Sequence, residues 1–270
     1  MFKTPFADRL AIVALLLAGV AALLGLLLPG VYRDTEEGIR QARATDLVTL
    51  IAALPVLALG LWRARAGSIV GRLVAVAALG YLAYSYAVYA FSVVINPMTP
   101  FHIAILGLAT WSLVLTVFGR SDAIGDSVSG LRPSRRATGG FLIGVAALFA
   151  MLWLSQIAGA ITSGQLPASI SDLELPTSSV YALDLAFAVP IIALAGGWLI
   201  RRDRRGAASA VAGLAFLVLL GLSVLAIFAF EAAAGKPVAV EPIVIFGVVT
   251  GTAAILFVGS MPRPGRQQAA

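Results

Sequence analysis

Eight apolar stretches, most of them long enough as helices to cross about 30 Å of hydrocarbon, divide this chain of 270 residues. They lie at about Leu10 to Leu28, Leu47 to Trp62, Leu73 to Ile95, Phe101 to Gly119, Gly139 to Ser163, Ser179 to Ile200, Ala207 to Ala234 and Ile243 to Met261. With 60% hydrophobic residues and a mean hydropathy of +0.98, the composition excludes a soluble core. The expected fold is all-α: a polytopic integral membrane bundle of eight transmembrane helices in a lipid bilayer.

The connections alternate in basic content. Of the 19 Lys and Arg residues, 15 fall on one side: Lys3 and Arg9; Arg63, Arg65 and Arg72; Arg120, Arg132, Arg135 and Arg136; Arg201, Arg202, Arg204 and Arg205; Arg263 and Arg266. Only Arg33, Arg40, Arg43 and Lys236 fall on the other. The positive-inside rule therefore predicts a multi-pass plasma-membrane protein with both termini cytoplasmic. The net charge of +6 does not point to nucleic acid, because the basic residues sit beside span ends rather than in one face interleaved with stacking aromatics. Cysteine is absent, which removes disulfides, thiolate metal sites and Cys nucleophiles. The basic start and first apolar run look like a signal peptide, but the run is about 19 residues and ends in Leu28-Pro29-Gly30 without a small-x-small site, so it is read as a retained span.

Two outer connections are long. In Val31 to Thr45, Glu36 and Glu37 precede Arg40 by four and three, so a short surface helix is expected; Gly164 to Ser178 reads as an irregular loop. Residues 120–138 form a polar cytoplasmic linker between residues 1–119 and 139–270. These halves share an order of residues: Asp46, Pro55, Trp62 and Arg63 in the first, Asp184, Pro190, Trp198 and Arg201 in the second. Four spans per half preserve orientation, so duplication predicts two parallel four-helix repeats.

Polar residues inside the spans are the candidates for function. Tyr81, Ser85, Tyr89, Ser92 and Asn96 occupy an arc of about 80° on the third span, a polar stripe that should face the bundle as helix-helix glue or as the lining of a cavity. Asp184 and Glu231 are the acidic residues well inside spans, a few residues below the outer interface, where a carboxylate must be paired, wet or protonated. Asp46, His102, Gln156 and Tyr181 fall at the same level. Pro55 and Pro190 free the carbonyls of Ile51 and Ala186. With one histidine, no bis-histidine haem is expected, and neither a metal nor another cofactor. Gly247-x-x-x-Gly251 fits a close helix contact or a dimer face.

The expected function is a carrier or sensor that binds a small molecule, an ion or a lipid in an outward-opening pocket lined by Tyr89, Asn96, His102, Gln156, Tyr181, Asp184 and Glu231. The alternative is a non-catalytic accessory or scaffolding subunit, homo-oligomeric or bound to a membrane partner. A third reading is an intramembrane enzyme acting on a lipid-linked substrate through a carboxylate pair, although no catalytic motif stands in the chain. A cavity reaching Asp184 favours the pocket; carboxylates held in direct hydrogen bonds favour the scaffold.

Overall fold

The computed structural model describes residues 5–119 and 131–262, and every regular element in them is helical. Lys3, Arg120, Arg263 and Arg266, and the greater part of the expected linker, lie outside the described residues. Eight helices are long and apolar enough to cross a membrane: α1 (Pro5–Leu27), α2 (Glu36–Arg65), α3 (Ile69–Ser92), α4 (Thr99–Phe118), α5 (Arg135–Ser163), α6 (Ser179–Ile200), α7 (Gly206–Ala233) and α8 (Val240–Gly259). This is a multi-pass membrane bundle.

Its packing inverts the soluble pattern. Along α1, Ala7, Ala11, Ala14, Ala18 and Ala21 are buried at spacings of four and three, whereas Phe6, Val13, Leu16, Val20 and Leu23 are exposed. Small residues let helices approach closely, and large ones meet lipid, whose tails are as apolar as they are.

Two expectations change in detail. The surface helix expected within Val31 to Thr45 is the first part of α2 itself, capped by the Thr35 side chain on the Gly38 N–H and continuous to Arg65. Its polar residues stay clear of lipid because the segment packs against α7 and α1. The loop Gly164 to Ser178 contains one helical turn, Ala168–Ser171.

Both proline-bearing helices widen into π-helix immediately before the proline: Thr49–Ala53 in α2 and Asp184–Ala188 in α6. The Leu54 N–H bonds the Thr49 carbonyl and the Val189 N–H bonds that of Asp184. Pro55 and Pro190 cannot donate to the carbonyl four residues back, and a wider turn relieves that mismatch.

The helices pack in chain order within each set of four, and the closing contact differs. In the first half α1 packs on α2, α2 on α3, α3 on α4 and α4 on α1; in the second α5 packs on α6, α6 on α7 and α7 on α8, while α5 and α8 touch only lightly. Between halves α7 packs on α2 and α3, and α3 on the start of α6. Phe216 on α7 joins two of the apolar cores, one around Leu57, Leu79 and Leu82, the other around Leu142, Ile192 and Leu214.

Candidate functional site

Among the described residues, the polar side chains singled out in the spans fall into three groups. In the first half, Asp46 sits on α2 just before the π turn and is 1% exposed. Its Oδ2 accepts from the Tyr32 hydroxyl at 2.6 Å and its Oδ1 lies 2.9 Å from Tyr89 Oη. Tyr89 Oη is also 2.8 Å from the Ala42 carbonyl, so its one proton serves two acceptors. Gly25 makes room for this group: a Cβ there would collide with Asp46 and the Tyr32 hydroxyl. His102, from the start of α4, stacks on Tyr89 with ring centroids 4.8 Å apart, and Tyr32 stacks on Tyr89 at 6.2 Å. His102 Nδ1 has no hydrogen-bond partner among the described residues.

The second group gathers on Asp184, the first residue of the α6 π turn. Tyr84 on α3 donates to Oδ1 at 2.9 Å and the Trp153 indole N–H on α5 donates to Oδ2 at 2.7 Å. Tyr181 stacks on Trp153 at 4.7 Å and donates its hydroxyl to Gln156 Oε1 at 2.8 Å. A carboxylate with a short bond on each oxygen is held in one orientation by its partners.

The third group ties the halves together. Arg40 Nε on α2 donates to Glu231 Oε2 on α7 at 2.9 Å, with Glu36 at 3.6 Å from the same guanidinium. Glu231 Oε1 and Arg43 Nε are buried without a partner among the described residues. Deeper, Ser223 of α7 reaches Thr45 at 3.4 Å, and Tyr81 Oη lies 3.3 Å from both Ser223 and Thr49.

The structure therefore brings together Tyr89 with His102, and Gln156 and Tyr181 with Asp184 through Trp153, while Glu231 stands with Arg40. Asn96 is beyond the end of α3: its Oδ1 accepts the Met98 N–H at 2.7 Å in the turn before α4. Among the described residues no three His, Asp or Glu side chains gather as a metal site. Sequence reasoning missed Tyr32, Tyr84, Trp153 and Arg40 as partners. Trp153 stands one turn before Gln156 and was the most detectable of them; Tyr84 lies outside the arc of the α3 stripe, because α3 presents polar faces to two different helices.

Outside the spans, two acids differ in environment. Burial raises the Asp34 carboxyl above its ordinary range, against the Val94 N–H that it accepts at 2.9 Å. Hydrogen bonds from Arg205 lower Asp203 to about 2. No protein-family model, characterised protein or solved structure matches this chain.

Proposed function

We propose that this chain is a non-catalytic accessory or scaffolding subunit of the plasma membrane, built from two parallel four-helix repeats with both termini in the cytoplasm. The observation that carries the reading is the commitment of two carboxylates buried in the spans: Asp46 and Asp184 each meet two side-chain donors of this chain at short distance. Such groups specify helix positions. The surface for a partner helix is the open side of the second half, where α5 and α8 are the least buried spans at 17% each. A Cβ at Gly140, Gly144, Gly247 or Gly251 would meet open space, so these glycines serve no close contact within the chain.

The duplication is supported by a fixed offset of 135 residues, from Thr49 to Asp184 at the start of each π turn and from Gly71 to Gly206, each pressed against the preceding helix. The orientation rests on the distribution of basic residues, and an even number of crossings returns the chain to its starting side.

A second reading, a sensor or carrier in a closed state, is favoured by the unpartnered His102 Nδ1 and Glu231 Oε1, which a conformational change or a bound cation could satisfy. The two separate by experiment. A photo-crosslinking residue at Met151 or Val248 should yield a defined adduct with another membrane protein or a second copy in native membranes, and one at the buried Leu57 should not. A chain without adducts, whose purified form is thermally stabilised by a soluble ion or metabolite, would replace the scaffold with the carrier.

A further inference from the structure

The oxygens around Asp46 make more short contacts than their own hydroxyls have protons to fill. The Tyr32 hydroxyl lies 2.6 Å from Oδ2, Tyr89 Oη lies 2.9 Å from Oδ1, and Tyr89 Oη also lies 2.8 Å from the Ala42 carbonyl oxygen. Each is the length of a hydrogen bond between two oxygens, and each needs a proton between them. Two phenols bring two protons; an ionised carboxylate and a backbone carbonyl bring none. The third contact closes when the carboxyl itself carries a proton. Oδ1–H then donates to Tyr89 Oη, Tyr89 donates to the Ala42 carbonyl and Tyr32 donates to Oδ2. The same count at Asp184 balances without a further proton, because Tyr84 and the Trp153 indole bring one each to its two contacts.

The surroundings agree with a neutral acid. From α1, Gly25 closes on the carboxyl so tightly that a Cβ would overlap it. Arg43, one turn before Asp46 on α2, is the cation whose field reaches it, yet the two form no ion pair among the described residues, and Arg43 Nε is buried without a partner. On α3 the Tyr86 hydroxyl is turned to the Ala18 carbonyl at 3.4 Å, and from α4 His102 meets Tyr89 through its ring. On α7, Glu231 is paired with Arg40. A buried carboxylate that its nearest cation leaves unpaired is costly, whereas the protonated acid is not.

We propose that Asp46 is a proton-binding site, at which a neutral carboxylic acid, the Tyr89 hydroxyl and the Ala42 carbonyl form one relay between α2 and α3. When the proton leaves to water, the single Tyr89 proton serves either Oδ1 or Ala42, and one contact between the two helices is lost. The inference uses the Asp46 contacts on which the scaffold reading also rests, but the two fail separately: adducts at Met151 or Val248 report a partner, and the measurements below report a proton.

The test uses the full chain purified in a neutral detergent. Infrared spectra at about pH 7, where a solvated Asp is ionised, should show the C=O stretch of a protonated carboxylic acid, moved to lower frequency in deuterated water. Asp46→Asn should abolish that band, Asp184→Asn should keep it, and Tyr89→Phe, which removes the acceptor of the acid proton, should shift it. Stability reads the same proton. Asn has the shape of the neutral acid, its amide N–H donating to Tyr89 and its oxygen accepting from Tyr32, and needs no protonation. Asp46→Asn should therefore melt above wild type at about pH 7, and the gap should close as pH falls to about 4, where the unfolded chain holds the proton too. A wild-type spectrum without the band, a band that follows Asp184 rather than Asp46 or stays unmoved in Tyr89→Phe, or an Asp46→Asn protein that melts below wild type at the higher pH would overturn the proposal.

Discussion

Gly67 and Arg202 occupy the same place in two turns built alike. Each has a left-handed backbone, φ +87° and +62°, just after the second helix of its half, and the flanking bonds correspond. Gly67 N–H reaches the Ala64 carbonyl and Ser68 N–H that of Arg63; Arg202 N–H reaches Leu199 and Asp203 N–H reaches Trp198. This is the Schellman arrangement, whose left-handed position favours glycine. Arginine there costs about 1–2 kcal/mol, partly offset by the greater unfolded-state freedom of glycine. Arg202→Gly should therefore stabilise the protein by roughly 0.5–1 kcal/mol, and Gly67→Arg should destabilise it comparably; tryptophan-fluorescence melting in detergent measures both. A loss of stability in Arg202→Gly would mean that the Arg202 side chain makes a contact worth more than the strain.

Asp184 tests whether its bonds are structural. In Asp184→Asn the amide oxygen can accept from the Trp153 N–H while the amide nitrogen donates to Tyr84 Oη, so the variant should lose little, whereas Asp184→Ala leaves both partners unpaired, a loss of about 1–3 kcal/mol. Trp153→Phe removes a single bond and should cost less than Asp184→Ala. If Asp184→Ala melts with wild type, the bonds at 2.9 and 2.7 Å do not hold the helices in place.

The eight helices were legible because hydropathy alone decides them, and so was the inward direction of Tyr81 and Tyr89. The pairing was not. An acid in a span announces that it needs a partner, but the partner is chosen by helix neighbours. Asp184 and Glu231 share a depth and so read as one site, yet α6 presents Asp184 to α3 and α5 while α7 presents Glu231 to α2. Asn96 read as the last residue of the α3 stripe because periodicity carries no signal for where a helix stops. The π turns were half visible: Pro55 and Pro190 marked the freed carbonyls, and the widening is how the backbone answers them.

The Arg40–Glu231 pair joins the halves with side chains 18% and 13% exposed. Removing one partner should cost about 1–3 kcal/mol, less than a fully buried pair because water reaches part of it. A double-mutant cycle with Arg40→Gln and Glu231→Gln should give a coupling of at least about 0.5 kcal/mol. Additive single effects would show that Glu36, at 3.6 Å from Arg40, takes over the pairing.

Asp34 gives the outer surface a pH dependence of definite sign. Its folded carboxyl titrates above the ordinary value through burial, the Val94 N–H opposing. The stability this group contributes is present in full below the unfolded carboxylate range and is lost as pH rises through the raised folded value. Asn keeps the Oδ1 acceptor for Val94 and carries no charge to desolvate. Asp34→Asn should therefore melt above wild type at pH 7, and the gap should close as pH falls to about 4. A variant less stable than wild type at pH 7, or a gap that widens on acidification, would show that the Val94 bond needs the ionised carboxylate more than burial penalises it.

The orientation rests on charge and is open to direct labelling, since the chain has no cysteine. Thr35 caps α2 at one end of the bundle and Ser134 caps α5 at the other, each through its side-chain oxygen, and Ser171 is exposed beyond the first of these ends. Cysteine at Thr35 or Ser134 forfeits a cap worth about 1 kcal/mol, so each variant is first checked for expression. In intact cells an impermeant thiol reagent should modify cysteine at Thr35 and Ser171 and spare cysteine at Ser134, which should react once the cells are opened. Ser134 labelled in intact cells with Thr35 protected would reverse the orientation.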